Sequence, residues 1–275
     1  MQQKQGVYQT QGGVPTQLEI RLKNGELTLL PGDVEAPVIR YWINDASGQE
    51  KLDAMITEER QSNKLRLTLG EGWLGDMLKK NFKQRILGDS WHQLRYEVQL
   101  PRQMYEQLAL EIDGGEASIS GMTAQEMTVR LNAGRLQLKD STAKSIGLGM
   151  QSGSLTVNGV QAEILTGRIS SGKAEFENIR AKQEIAMHSG SLSLELNELS
   201  QDVSLSSQSG RLKINLGRVT TPYLLDVKMS SGAVDIDLPG AKYKSGGTNH
   251  FSKNIGGEGG PAVRIEASSG KVDIE

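Results

Sequence analysis

Glu177 and Glu195 stand at the same place in two successive copies of a short phrase, five residues after a glycine. If those copies lie side by side as parallel strands, the two carboxylates fall about 5 Å apart. A pair so placed could act as acid and base on a glycosidic bond or share a calcium ion. The same positions in the other copies are Lys139, Asn158, Asn215, Asp237 and Glu275, so the row also reads as the solvated face of a strand. Serine is the second candidate: Ser152, Ser171, Ser189, Ser209, Ser231 and Ser269 each precede a glycine. A nucleophilic serine needs a base and an orienting partner, and six equivalent copies fit a structural ladder better. The histidines His92, His188 and His250 lie far apart, without metal-ligand spacing.

Other chemistry is missing from the sequence. There is no Gly-x-Ser-x-Gly elbow, no phosphate-cradling loop and no EF-hand pattern. The pairs Gly256–Gly257 and Gly259–Gly260 are too weak to carry a nucleotide site. No catalytic, cofactor-binding or metal residue is therefore assigned, and no cofactor is expected. With no cysteine, disulfide frameworks and Cys-based zinc sites are excluded. A net charge of -2 argues against nucleic acid as a partner, since such proteins carry a basic stripe.

These side chains must be positioned by whatever the phrase builds. The phrase is QSGSLTV at Gln151–Val157, returning as SSGKAEF, HSGSLSL, QSGRLKI, SSGAVDI and SSGKVDI. Its glycines are Gly115, Gly134, Gly153, Gly172, Gly190, Gly210, Gly232 and Gly270, and Gly25 anchors an outlying copy. They mark a repeat of about 19 residues, close to the shortest unit from which stacked-repeat proteins are built. The last interval, from Gly232 to Gly270, is twice that period. Two and four residues after each glycine stand apolar side chains, as in Leu155 and Val157 or Val272 and Ile274. Seven, five and three residues before it stand others, such as Met127, Val129 and Leu131. Strict alternation means a strand with one buried face. Each unit is thus strand, Ser-Gly corner, strand and polar connection. Glycine supplies the positive φ of the corner, and the serine hydroxyl can satisfy a freed backbone group.

Two geometries satisfy the pattern: a β-solenoid whose rungs stack in parallel sheets, or an array of hairpins turning at Ser-Gly. The near-constant period favours the solenoid, all-β, single-stranded and right-handed, with each rung stacked on the one before. The organisation expected is a flexible lead over 1–15, an irregular β region over 16–105 and the regular array over 106–275. The irregular region contains strands at Gln17–Leu22, Glu26–Leu30, Val38–Ile43, Leu65–Leu69 and Leu94–Leu100.

Two interruptions stand out. Within 71–90, Trp73, Leu74, Met77, Leu78, Phe82 and Ile86 could share an apolar helical face, with Lys79, Lys80, Lys83 and Arg85 elsewhere on the helix. That segment reads either as a peripheral contact to an anionic membrane or partner, or as a cap on the solenoid's open end. Uncapped strand edges invite self-association. The Gly-rich stretch 245–261 reads as a loop thrown out of one rung and as a candidate exposed contact. No apolar run is long enough to span a membrane. The polar start MQQKQGVYQTQGG is no signal peptide. It reads as a cytoplasmic start or as the stalk below an upstream anchor, which would place the protein at the cell surface.

The order LEIRLKNGELTLLPGD, KLRLTLGEG and RYEVQLPRQMYEQLALEIDGGEASIS, followed by serial Ser-Gly units, resembles the DUF4097 family. This is the toast-rack domain, also described as a candidate adhesin. The resemblance runs from Gln17 to Glu275. It implies a bacterial β-solenoid of the cell envelope, adhesin-like or associated with membrane stress, sometimes beside a membrane anchor or a helical partner domain. It carries no catalytic residues over. The reading is a non-enzymatic scaffold with a protein or glycan partner. The alternatives are a carbohydrate-active enzyme on the same scaffold, or a cytoplasmic regulatory module contacting a membrane-stress partner.

Overall fold

Two alternating strands joined by a glycine corner can hide their apolar faces only against each other. A rung so made leaves both edges open, and stacking further rungs on those edges is what completes it. The computed structural model, which describes residues 2–45, 56–70 and 94–275, has this form throughout.

In chain order the first strands are β1 (Gln2–Gln9), β2 (Gln17–Leu22), β3 (Glu26–Gly32), β4 (Val38–Asp45), β5 (Ile56–Gln61), β6 (Lys64–Leu69) and β7 (Leu94–Pro101). The regular rungs follow in pairs: β8 (Tyr105–Ile112) with β9 (Glu116–Ser120), β10 (Thr123–Leu131) with β11 (Arg135–Lys139), and β12 (Thr142–Met150) with β13 (Ser154–Asn158). Next come β14 (Gln161–Ile169) with β15 (Lys173–Glu177), β16 (Arg180–Met187) with β17 (Ser191–Glu195), and β18 (Val203–Ser207) with β19 (Arg211–Asn215). The last strands are β20 (Tyr223–Met229), β21 (Ala233–Leu238), β22 (Ala241–Gly246), β23 (Asn249–Ile255), β24 (Ala262–Ala267) and β25 (Lys271–Ile274).

The strand after each Ser-Gly corner enters a 13-stranded sheet, and the strand before it a 12-stranded sheet. Rung pairs with rung in parallel, in register, as Leu136 with Leu155 and Val129 with Leu148. The solenoid, and not the hairpin array, is therefore the fold. Between the sheets lies one continuous apolar core, with Leu138, Val157, Phe176, Leu194 and Ile214 stacked along it, each essentially without exposure. Burying a side chain of this size stabilises by roughly 1.5–3 kcal/mol. The core is mostly aliphatic, with Phe176, Tyr96 and Tyr105 among its few aromatic members.

The corner glycines form a backbone ladder. Gly153 has φ +108°, and a Cβ there would lie 2.2 Å from the carbonyl oxygen of Gly134. That oxygen accepts the N–H of Ser154 at 2.9 Å, so the close approach is the ladder bond itself. The serine hydroxyls add a second strand of bonds: Ser152 donates to Asn132 O at 3.0 Å and Ser171 to Gln151 O at 2.9 Å. Ser189 and Ser269 do the same to Ser170 O and Gln208 O. The other corner of each rung has its own ladder. Gly121, Asp140, Gly159 and Asn178 recur at the period of the repeat and all take positive φ, three residue types among those that tolerate that conformation.

The ends depart from the expectation that every rung stacks on the one before it. At the far end the rung β24–β25 lies between β18–β19 and β20–β21. At the near end β2–β3 lies between β8–β9 and β6–β7. The stretch expected to loop out of a rung instead supplies β22 and β23, which pair antiparallel with β21 and β20 and finish both sheets. At the near end β5 closes one sheet on β6, while β4 and β1 close the other on β7. Residues 2–9, expected as part of a flexible lead, are thus the edge strand β1. Antiparallel strands end both stacks because a parallel rung needs a corner and a strand in each sheet, whereas a short hairpin covers one edge with few residues. The candidate contacts Trp73, Lys79, Lys80, Phe82, Lys83 and Arg85 lie outside the described residues, in the segment joining β6 to β7. No helix among the described residues is long and apolar enough to cross a membrane.

Candidate binding face

With one core between the sheets, whatever the protein contacts it must meet on an outer face, an edge or a corner. Both outer faces carry charged side chains. On the 13-stranded sheet they are consumed locally: Arg135 pairs with Glu116 at 2.9 Å and Lys244 with Asp235 at 2.9 Å. Lys213 pairs with Glu275 and Lys271 with Asp273. The hydrogen bond to Glu275 holds the Lys213 ammonium above its ordinary pKa, and that from Lys244 holds Asp235 below its own.

On the 12-stranded sheet two neighbouring outward positions, Ala186 and Ser206, are small. Arg168, Ala186, Ser206, Glu266 and Lys228 lie in one lateral row across β14, β16, β18, β24 and β20. Beyond them, where the strands run into their corners, come Ser170, His188, Gln208, Ser268 and Ser230. Side chains this short leave a concavity of about 800 Å³ across five strands. Lys228 and Glu266 form an ion pair at one side, 3.6 Å apart, and Arg168 stands at the other without an ion pair among the described residues. Thr248, between β22 and β23, and Asn249, the first residue of β23, line the rim. They are held there by Thr248 donating to Ser230 O at 2.8 Å and Gly247 N–H donating to Gly232 O at 2.7 Å. Part of the stretch expected as an exposed contact thus borders the concavity.

The carboxylate pair is placed elsewhere. Glu177 and Glu195 are in register on β15 and β17, but each is engaged sideways. Asn158 donates to Glu177 at 2.8 Å, and Arg218 lies 3.5 Å from Glu195. They belong to a polar ladder along the second corner, in which Asn178 donates to Asn158 at 3.1 Å, Asn197 donates to Asn178, and Arg218 donates to Asn197 at 3.2 Å. This arrangement stitches rungs together; it does not aim two carboxyls at a common point. Of the histidines, His188 lines the concavity, His250 meets Asp226 at 2.8 Å, and His92 lies outside the described residues. Among the described residues, no three His, Asp or Glu side chains are grouped to hold a metal ion.

Sequence reading missed the concavity because it followed the strand after each glycine and treated the outward residues before it as filler. The signal is present four residues ahead of the anchors, where Ala186 and Ser206 replace longer side chains. That Glu266 separates Ser206 from Lys228 follows from the rung order, which no local pattern encodes.

The chain is similar to several solved structures. One, described as a candidate adhesin from Bacteroides fragilis, superposes with a TM-score of 0.52 at 11% identity, covering 99% of this chain and 97% of the other. A candidate adhesin from Parabacteroides distasonis gives 0.49 at 14% identity, with 99% and 97% covered. A candidate lipid-binding protein from the same species gives 0.48 at 11%, with 98% and 97% covered. No curated protein matches the sequence. The family described as Toastrack DUF4097 matches residues 15–275, nearly the whole length, and the chain belongs to that family.

Proposed function

We propose that this protein is a non-enzymatic, adhesin-like binding scaffold of the bacterial cell envelope that holds an extended glycan across the outer face of its 12-stranded sheet. The observation that carries this reading is the concavity spanning β14 to β20, floored by the small Ala186 and Ser206 and bordered by Arg168 on one side and the Lys228–Glu266 pair on the other. A protein partner would be expected to find apolar or aromatic anchors. The large hydrophobic side chains exposed among the described residues are Val7, Val14 and Met104, none of which lines the concavity. Hydroxyls, two carboxamides, an imidazole and three charged groups instead suit a hydroxylated chain. Its affinity would come from several modest contacts made together.

The test is a glycan array probed with the wild-type chain and with Ser206→Trp, which fills the floor from an outward position. Binding lost in the variant, with thermal stability kept, supports the reading. Undiminished glycan binding by Ser206→Trp, or cleavage of a bound glycan by the wild type, would refute it.

A further inference from the structure

Beside the concavity the same face carries a second arrangement, which spacing alone makes visible. Thr128-Val129-Arg130, Gly147-Leu148-Gly149 and Thr166-Gly167-Arg168 are successive copies, each one repeat period after the last. They lie on β10, β12 and β14, with Gly147 registered against Thr128 and Thr166 and Gly149 against Arg130 and Arg168. The middle strand is therefore a bare trough, walled on each side by a threonine and an arginine. A Cβ added at Gly147 would sit 3.8 Å from the Thr128 hydroxyl and 3.9 Å from that of Thr166. At Gly149 it would sit 3.7 Å from Arg130 Cγ. Neither glycine has positive φ, so no turn explains them. What they provide is access to the backbone between two arginines about 10 Å apart, close enough for both guanidinium groups to reach one group above Gly149.

The local charges define what fits. Arg130 and Arg168 have no ion pair or side-chain hydrogen bond among the described residues. The nearest carboxylates on the flanking strands are already engaged, Glu111 with Arg21 at 3.6 Å and Glu184 with Lys182 at 2.7 Å. The trough therefore offers, at one end, two guanidinium groups without partners among the described residues and, at the other, two hydroxyls, of which that of Thr166 donates to Ile146 O at 3.5 Å and keeps its oxygen open as an acceptor. A guanidinium fork matches a carboxylate, and threonine hydroxyls match the ring hydroxyls of a sugar.

We infer that this trough binds an acidic saccharide, with a uronic-acid carboxylate held between Arg130 and Arg168 above Gly149 and its ring hydroxyls meeting Thr128 and Thr166. The inference deepens the glycan reading and rests on it, because Arg168 also borders the concavity and a chain leaving the trough enters it.

The experiment is calorimetric titration of the full chain with a polygalacturonate hexamer and with the same hexamer methyl-esterified. The variants are Arg130→Gln with Arg168→Gln, Gly147→Val to fill the trough, and Lys213→Gln on the opposite face. The wild type should bind the acid form about tenfold more tightly than the ester or better. The double variant should lose that preference, Gly147→Val should lose binding while remaining folded, and Lys213→Gln should match the wild type. Equal affinity for acid and ester, or an unaltered preference in the double variant, would overturn the inference. Ester binding that is lost in Ser206→Trp would in that case leave the concavity reading standing. Failure of both hexamers to bind would overturn the inference without touching the array test. Arginine-dependent binding to phosphatidylglycerol vesicles with no hexamer binding would also overturn it, assigning the trough to a phosphate headgroup.

Discussion

Replacing Gly153 by alanine should destabilise the protein far more than the same change at Gly259, although both residues have positive φ, +108° and +81°. The conformational cost of a Cβ in that region is common to both and amounts to roughly 1–2 kcal/mol. The neighbours differ. At Gly259 nothing lies within 4 Å of the added atom, whereas at Gly153 it would sit 2.2 Å from Gly134 O and 2.9 Å from Gly134 N. No side chain can swing aside, because the obstacle is backbone. Relief requires the rung to move, weakening the bond from Ser154 N–H to Gly134 O and that from Lys173 N–H to Gly153 O, both 2.9 Å. At about 1 kcal/mol for each bond, Gly153→Ala should cost about 3–4 kcal/mol and Gly259→Ala about 1–2 kcal/mol. Urea unfolding followed by circular dichroism measures both. Amide exchange should localise the Gly153 effect to β12 through β15. Equal costs within about 0.5 kcal/mol would show that only backbone conformation matters, and would refute the stacked-ladder argument.

Two further predictions concern the interleaved rung. Asp202 accepts the Ala262 N–H at 2.9 Å and pairs with Arg264 at 3.1 Å, clamping the start of β24. The Ala262 N–H and then Arg264 hold its carboxyl below the ordinary carboxylate pKa. The stabilisation is thus present above about pH 4 and disappears as pH falls through the lowered value of the folded protein. Asp202→Asn should cost about 1 kcal/mol at pH 7, a figure kept small because the side chain is partly exposed. The gap from wild type should close in urea titrations as pH falls through that lowered value; a constant gap would refute the clamp. The rung order itself can be read by disulfide formation in a chain that has no native cysteine. Ser206→Cys with Glu266→Cys places the Cα atoms about 5 Å apart, within bridging range. Ser206→Cys with Lys228→Cys places them about 10 Å apart, and it should stay reduced.

The rungs were legible in the sequence because each one must solve the same problem with the same residues. A glycine that must approach the glycine of its neighbour cannot drift, and the two inward positions after it stay apolar in every rung, so Gly153 and the pair Leu155 and Val157 are repeated almost letter for letter. The ladder of Gly121, Asp140, Gly159 and Asn178 was equally periodic but harder to see. Three residue types share one backbone conformation there, so the letters change while the physics does not. The order of the terminal rungs was not legible. Leu212 and Ile214 of β19 offer the same apolar edge to Val272 and Ile274 as they would to Val234 and Ile236. What decides is the short β21–β22 hairpin, which occupies the far edge of β21 and leaves the other edge to β25. The site follows the same division. The trough from Thr128 to Arg168 is written in columns four and six residues ahead of the anchors. The concavity depends on Glu266 arriving beside Ser206 from a rung that follows much later in the chain.

The central claim is that binding occurs on the outer face of the 12-stranded sheet. Single-cysteine labelling tests it most directly, with an environment-sensitive fluorophore at Ser206→Cys or at Thr156→Cys on the opposite outer face. Each labelled chain would be titrated with a panel of bacterial surface polysaccharides. A saturable change at Ser206 with none at Thr156 is the predicted result; a response at Thr156 alone, or at neither position while binding is detected calorimetrically, would contradict it.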